Sequence, residues 1–102
     1  MSRASGTKEM SRRASKVDAN QAQVVSALQA AGASVQSLAP IGKGCPDLLV
    51  SFKDGLWLFE VKNKHGKNEV NEAQQKWHIA WNGTVHIVYD AEQALKIIGA
   101  IA

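Results

Sequence analysis

The alternation of apolar and polar residues along the chain predicts a helix, three strands and then a second group of elements. The first helix follows from apolar residues at helical spacing, which are Val24, Val25, Leu28 and Ala31. Asp18 and Asn20 are its candidate caps, and Gly32 is its stop. Residues 33–38 form a weaker strand pattern, and a loop rich in Gly and Pro then continues to Pro46.

The middle of the chain carries the clearest signal, which is that of a β-hairpin. Residues 47–52 and 56–62 are rich in aliphatic and aromatic side chains. They flank Asp54-Gly55, a pair of residues that favours a tight two-residue turn. The turn fixes how the two strands pair, and therefore which side chains share a face.

The predicted pairing separates the hairpin into an apolar face and a polar face. With the turn at Asp54-Gly55, Asp47 is expected opposite Lys62. Because side chains alternate along a strand, one face carries only apolar residues, namely Leu48, Val50, Phe52, Trp57, Phe59 and Val61. The other face carries Asp47, Leu49, Ser51, Leu58, Glu60 and Lys62, with Leu49 opposite Glu60. Asp47, Glu60 and Lys62 are therefore expected to be near neighbours.

The rest of the chain continues the fold with two more helices and a strand. Residues 71–81 have helical character and end before Gly83, residues 84–89 are β-branched, and Asp90 caps a last helix. The predicted order is α-β-β-β-α-β-α, an α/β fold in which helices flank a mixed sheet. We expect one domain over residues 17–102.

The polar end of the hairpin suggests a cation site. Carboxylates of Asp47 and Glu60 on diagonal positions have Cβ atoms roughly 7–8 Å apart or less, which lets them share a divalent ion. Oxygen ligands of this kind select Mg²⁺ or Mn²⁺ rather than zinc. The alternative is a solvated face on which Lys62 forms a cross-strand ion pair with Asp47. Leu49 and Leu58 on the same face indicate that something covers it, but the pattern leaves both interpretations open.

Composition narrows the class of protein. The chain has 102 residues and 45% hydrophobic content, which suits a single modest core. Cys45 is the lone cysteine, so an intramolecular disulfide is excluded, and no apolar run approaches the roughly 20 residues of a membrane helix. We expect an intracellular, cytoplasmic protein with no membrane partner.

The net charge of +3 is concentrated at the N-terminus. Residues 1–16 contain five basic residues, Arg12 and Arg13 among them, against Glu9 alone. We expect a flexible basic arm, since it contains too few apolar side chains to offset the entropy of ordering. Such an arm gives sequence-independent attraction to phosphates, or it is a solvated tail.

The residues of the hairpin also resemble a known signature. Pro46-Asp47, followed thirteen positions later by Glu60-Val61-Lys62, resembles the PD-(D/E)XK nuclease signature. The segment IGKGCPDLLVSFKDGLWLFEVKN, followed by NEAQQKW, is similar to the virus-type replication-repair nuclease (VRR-NUC) domain, including its small stand-alone phage forms. The similarity spans 20–89. It implies a restriction-endonuclease-like core and Mg²⁺- or Mn²⁺-dependent hydrolysis of DNA.

The resemblance also implies roles for particular residues. Asp47 and Glu60 would bind the metal together with the backbone carbonyl of Val61. Lys62 would position or help to deprotonate the attacking water and stabilise charge on the phosphate. A Gln on the helix after the hairpin would support the site, and Gln74 matches it, with Trp77 three residues on.

Two positions on the helices are less settled. Gln75 is the second choice for the supporting Gln of the resemblance. Many relatives place a metal-binding Glu on the first helix, where this chain has Gln21 and Gln23. Gln21 is the better match because its spacing to Val24, Val25 and Leu28 turns it inward. A neutral amide there removes one negative charge, which leaves the choice between one and two metal ions open.

Several other residues are candidates for contact with nucleic acid. Gly42 and Gly44 would let the loop backbone come close to the strand. The DNA-contact candidates are Lys43, Gly44, Lys64, His65, Lys67, Arg12 and Arg13. Structural roles are expected for His78, His86, Trp57, Trp77 and Trp81.

The sequence therefore predicts a metal-dependent DNA endonuclease. We expect it to select branched DNA, such as four-way junctions, because no element resembles a base-reading helix. A homodimer is expected, since two strands need two active sites. The alternatives are a non-catalytic nucleic-acid-binding module on a nuclease fold and a restriction-type nuclease with sequence preference.

Overall fold

A mixed four-stranded sheet with helices on both sides forms the centre of the fold. The computed structural model describes residues 19–63 and 70–102. The elements are helix α1 over 19–30, β1 (Ser34–Ser37), a 3-10 turn (Ala39–Ile41), β2 (Leu48–Phe52), β3 (Gly55–Val61), α2 (Glu72–Ala80), β4 (His86–Val88) and α3 (Ala91–Ile98). The predicted order α-β-β-β-α-β-α is confirmed. The basic arm expected over 1–16 lies outside the described residues.

The strands lie in the sheet in chain order, β1-β2-β3-β4. The first three are antiparallel neighbours, whereas β3 and β4 are parallel. A parallel pair needs a crossover connection, and α2 lies within the segment that joins these two strands. This connection brings α2 beside the end of β3.

The hairpin pairing differs from the predicted one by two positions. The ladder pairs Phe52 with Gly55, so the turn consists of Lys53 and Asp54. These two residues have φ values of 48° and 69°, and positive φ at both positions is typical of a type I′ turn. Gly55 instead begins the strand, where a Cβ would overlap the ring of Trp57. Because the shift is an even number of residues, every side chain keeps its predicted face.

The apolar face of the hairpin lies in the core, as predicted. Helices α1 and α3 contribute the other core side chains. The buried apolar residues are Val24, Leu28, Ala33, Leu48, Val50, Phe59, Val61, Val88, Ala94 and Ile98. Residues 19 and 20 are already helical, so Asn20 is not the cap of α1, and the other candidate, Asp18, lies outside the described residues.

The caps of the two later helices follow from the sequence. Asn71 and Gln74 form a capping box at the start of α2, each side chain bonding to the backbone of the other. Asp90 accepts a hydrogen bond from the backbone N–H of Gln93, which confirms it as the cap of α3. Helix α2 ends at Ala80, before the predicted stop.

The loop before β2 packs against α2. Gly44 has φ +86°, and a Cβ on it would overlap the carbonyl oxygen of Ala73 in α2. The close approach that Gly44 permits is therefore to a helix, not to the strand as predicted. The loop in this way fixes the distance between the start of β2 and the start of α2.

The second face of the sheet is only partly covered. Helix α2 leaves a groove of about 670 Å³ whose lining includes Leu49, Leu58, Trp77 and Trp81. The rings of Trp77 and Trp81 stack at 4.7 Å, and Trp81 is 46% exposed. Trp81 therefore has a structural role, as expected, but it packs against Trp77 of α2 at the groove and not in the core. Among residues 19–63 and 70–102, no helix has the length and apolar character needed to cross a membrane.

Candidate functional site

Asp47 stands immediately before β2 and is held from two sides. Its backbone carbonyl accepts a hydrogen bond from Leu38 N–H at 2.8 Å, which continues the β1–β2 ladder. Its side-chain Oδ2 accepts one from Val61 N–H at 2.7 Å. The carboxylate of Asp47 therefore reaches across the end of the sheet to β3.

Glu60 is the partner of Asp47 across the hairpin. Leu48 pairs with Phe59, so the next position along the ladder places Glu60, and not Lys62, opposite Asp47. Leu49 pairs with Leu58 rather than with Glu60. The corrected register thus brings the two carboxylates closer together than the predicted diagonal.

Glu60 is a carboxyl group with an unusual environment. It is only 1% exposed. Burial, followed by the charge of Asp47 and a hydrogen bond between the two carboxyls, raises the pKa of Glu60 to about 8, while Lys62 acts in the opposite direction. Two acids this close, one of them buried, favour a bound cation or a shared proton.

Gln74 and Lys62 complete the cluster. The Gln74 Nε2 donates to Glu60 Oε2 at 2.8 Å, and the Lys62 Nζ donates to Gln74 Oε1 at 2.9 Å. The Lys62 Nζ also lies 3.7 Å from Glu60 Oε2. Since Gln74 Oε1 accepts from the Asn71 N–H as well, the same side chain caps α2 and orders the site. Gln75 instead bonds to the Val70 carbonyl.

The backbone of Val61 faces Asp47. Its N–H donates to Asp47 Oδ2, whereas the N–H of Lys62 donates to the Val88 carbonyl in β4. In a strand the N–H and C=O of one residue point towards the same neighbour. The Val61 carbonyl therefore lies on the Asp47 side of β3, which is where the resemblance requires a backbone ligand.

Helix α1 meets the site through Asn20, which its place in the sequence marks only as a candidate helix cap. Asn20 Nδ2 donates to the Lys62 carbonyl at 2.8 Å and lies 3.4 Å from the Tyr89 carbonyl. Gln21 is half-buried and lines a depression formed with Ala22 and other residues of α1. No acidic side chain occurs in the described part of this helix.

The structure locates only part of the predicted DNA-contact set. Lys43 is exposed, and Gly44 packs against α2. The remaining candidates lie outside the described residues, and they are Lys64, His65, Lys67, Arg12 and Arg13. Lys43 is therefore the one member of the set whose side chain the described residues show to be open to solvent.

Two further residues near the carboxylates were not predicted to belong to the site. His78 places Nε2 4.0 Å from Glu60 Oε1. Cys45 has a thiol whose pKa is raised by burial and then by the charges of Glu60 and Asp47. A thiol with a raised pKa stays protonated at neutral pH, so it is a poor metal ligand. The available signal for His78 was its position, four residues after Gln74 on the same helical face.

The donor set fits a hard divalent cation. In the part of the chain that the structure describes, no group of three or more His, Cys, Asp and Glu side chains could hold a metal. The donors at this site are two carboxylates and a backbone carbonyl, so a cation here would rest on the oxygens of Asp47, Glu60 and Val61. Glu60 Oε1 is buried without a hydrogen-bond partner among the described residues, so it has a lone pair to offer.

Comparison with known proteins agrees with this architecture. No family model and no curated protein matches the chain. A solved structure described as a VRR_NUC domain matches with a TM-score of 0.63 and 27% sequence identity, over 81% of this chain and 94% of that one. The resemblance inferred from the sequence is thereby confirmed: the chain has the VRR_NUC fold, the α/β architecture of a PD-(D/E)XK nuclease family.

Proposed function

We propose that the chain is a Mg²⁺- or Mn²⁺-dependent DNA endonuclease whose active site contains Asp47, Glu60, Lys62 and Gln74. The observation that carries the proposal is the buried carboxyl of Glu60, placed opposite Asp47 and bonded to Gln74. A surface ion pair would not require a carboxylate that is 1% exposed and has a raised pKa. This arrangement therefore supports a site built to hold a cation.

The two acids and the backbone carbonyl would bind the ion together. Asp47 and Glu60 would supply two negative charges, and the Val61 carbonyl a neutral oxygen. A bound Mg²⁺ or Mn²⁺ supplies positive charge that stabilises the phosphodiester transition state and activates water. Asp47 is kept in place by its bond to Val61 N–H, so its orientation does not depend on the ion.

The Lys62 ammonium group is held in position, and Gln74 is the residue that holds it. The Lys62 side chain is 15% exposed, so it is largely withdrawn from bulk water yet reachable. Gln74 Oε1 holds Nζ at 2.9 Å and turns Gln74 Nε2 towards Glu60. Lys62 would orient the attacking water and offset charge on the phosphate. Gln21 stays a weaker candidate for the site, since the depression that it lines is formed by residues of α1 alone.

A cleavage assay with matched Asp variants tests the proposal. Plasmid and synthetic four-way junctions are incubated with Mg²⁺, Mn²⁺ or EDTA. Asp47→Asn is expected to lower the cleavage rate by about a hundredfold or more, as expected for lost transition-state charge stabilisation. Asp54→Asn, at the exposed hairpin turn, serves as the control and should cleave normally. Cleavage in EDTA, or full activity of Asp47→Asn, would contradict the proposal.

The substrate we propose is branched DNA, cut by a homodimer inside the cell. The chain has a small surface of its own, so two copies would present a larger basic face and two sites. Lys43 is exposed at the loop and would contact phosphates, and the basic residues of 1–16 and 64–67, which lie outside the described residues, would add to the attraction. Mapping cleavage on random duplexes is the check, since a consensus sequence would indicate a restriction-type enzyme instead.

A non-catalytic DNA-binding module is the competing proposal. It is favoured by α1, whose described residues carry no acid where relatives place a metal-binding Glu. It is disfavoured by Asp47 and Glu60, since a pair of carboxylates repels phosphate and brings no benefit to binding alone. Calorimetry with Mn²⁺ separates the two. If the chain is only a binding module, titration with Mn²⁺ should release the same heat from the wild type and from Asp47→Asn.

A further inference from the structure

We propose that His78 is a positioning residue for Glu60, so that α2 supplies one group for each oxygen of the buried carboxylate. The inference rests on the proposed metal-dependent cleavage. Gln74 and His78 are four residues apart on α2, which places them on the same face one turn apart. Gln74 donates to Glu60 Oε2, and His78 faces Oε1.

The contacts of the two oxygens are unequal. Oε2 accepts from Gln74 at 2.8 Å, whereas Oε1 lies 4.0 Å from His78 Nε2. Among the described residues, neither Oε1 nor Nε2 has a hydrogen-bond partner, although both atoms are buried. A buried polar atom without a partner costs about 1–3 kcal/mol in general, so two facing each other indicate a contact between them.

The 4.0 Å separation is about 1 Å longer than a direct N–H···O hydrogen bond. A small rotation of the side chains would therefore satisfy both atoms, with the imidazole N–H as the donor. The His78 side chain is 20% exposed, whereas Nε2 itself is buried, so the contact is shielded from bulk water.

The consequence for function is the orientation of Glu60. A carboxylate held at only one oxygen can rotate about its last bond, which changes the lone pair that it offers to a cation. Held through both oxygens from one rigid helix, Glu60 keeps a fixed plane. Outer partners of metal-binding groups typically change metal affinity by about 10–100-fold when they are removed.

The first test needs neither metal nor substrate. Imidazole ¹H–¹⁵N spectra of the full chain are recorded in EDTA, where we expect His78 as the tautomer protonated at Nε2. Replacing the acceptor, Glu60→Leu, should change the His78 pattern. His86, whose ring packs edge-on against Phe59 at 5.9 Å, is the internal reference. A His78 pattern that is identical in both proteins would overturn the inference.

The second test uses a conservative and a disruptive substitution of the same residue. His78→Gln keeps an N–H near the position of Nε2, and His78→Leu removes it. Calorimetry should give a Kd for Mn²⁺ about tenfold weaker in His78→Leu and largely restored in His78→Gln. Lys76→Gln, on the exposed side of the same helix, should bind as the wild type does.

Kinetics separate an effect on the reaction from an effect on DNA binding. In His78→Leu we expect a lower kcat with an unchanged KM for junction DNA, because DNA contacts are not affected. Equal losses in His78→Leu and His78→Gln, or none in either, would overturn the inference. If the wild type binds no Mn²⁺ and cleaves nothing, the proposed function fails, and the spectra in EDTA still decide whether His78 contacts Glu60.

Discussion

At the scale of single residues, the properties of this site depend on Glu60. Its carboxyl is buried beside a second acid, and Gln74 donates a hydrogen bond to it at 2.8 Å. A negative charge in this place is costly unless a proton or a cation accompanies it. The stability of the metal-free protein should therefore depend on pH.

The pH dependence has a definite sign. The pKa of Glu60 is about 8 in the fold, against an ordinary value of 4.5, so the folded chain holds the proton more tightly than the unfolded chain does. The resulting stabilisation is fully present below about pH 4.5 and is lost as the pH rises to about 8. In EDTA we expect the free energy of unfolding to fall by on the order of several kcal/mol between these limits.

Denaturant titrations at several pH values measure this effect. Glu60→Gln removes the titrating group, so its stability should vary much less between pH 5 and 8. Adding Mn²⁺ at pH 8 should stabilise the wild type and leave Glu60→Gln nearly unchanged, because binding to the folded state adds stability by mass action. The same pH slope in both proteins would show that Glu60 does not titrate in this range.

Gln74 is predicted to matter more than its neighbour in sequence. Its side chain accepts from Lys62 and Asn71 and donates to Glu60, whereas the Gln75 side chain bonds only to the Val70 carbonyl among the described residues. Gln74→Ala should slow cleavage by about tenfold or more and cost about 1–2 kcal/mol of stability. Gln75→Ala should change both quantities little. Single-turnover cleavage and thermal unfolding measure the pair, and equal effects would contradict this division.

At the scale of elements, the hairpin explains how a wrong register still led to the right cluster. The Asp54-Gly55 pair predicts a tight turn at those two residues, but the turn uses Lys53 and Asp54. Gly55 is needed for another reason, because a Cβ at this position would overlap the ring of Trp57. An error of two positions preserves the alternation of faces, so the predicted neighbours of Glu60 stayed on its side.

Contacts between elements were beyond the reach of the sequence. His78 and Asn20 join the site only because α2 and α1 cross the end of β3 at particular angles. Periodicity gives the inward face of a helix but not the strand residue that it meets. Asn20 was therefore assigned to a cap, although its side chain bonds to the Lys62 carbonyl 42 positions away.

The loop before β2 provides a test of how α2 is held. Gly42 and Gly44 both have positive φ, +66° and +86°, and the ψ of −159° at Gly42 is also typical of glycine, so an Ala at either position carries backbone strain of roughly 1–3 kcal/mol. Only at Gly44 would the Cβ overlap α2, at the Ala73 carbonyl, while at Gly42 nothing lies within 4 Å. Gly44→Ala should therefore displace α2, which carries Gln74. The cleavage rate should fall by about tenfold or more, as expected when groups of an active site are misplaced.

Gly42→Ala is the matched control for this prediction. It shares the strain and lacks the overlap, so its activity should stay near that of the wild type. Denaturant titration reports the stability of each variant, and cleavage of the four-way junction reports the site. If the two variants lose the same stability and activity, the packing of Gly44 on α2 is not what positions the helix.

At the scale of the whole molecule, the two faces of the sheet are covered by helices to different extents. Helices α1 and α3 close one face over a continuous core. On the other face, α2 has no buried residue and leaves the apolar groove open. Leu56 and Trp81 line this groove and are 67% and 46% exposed. Large exposed apolar side chains around a groove are typical of interaction surfaces.

We expect a second copy of the chain to cover this groove, because homodimer interfaces are more apolar than other surfaces and paired cuts need two sites. Light scattering should give twice the 11.0 kDa mass of one chain. Leu56→Glu, a change at an exposed position that spares the core, should yield monomers that nick junctions without paired cuts. Ile101→Glu, also at an exposed apolar position but outside the groove, should stay dimeric. A monomeric wild type would exclude the dimer, and a dimeric Leu56→Glu would place its interface elsewhere.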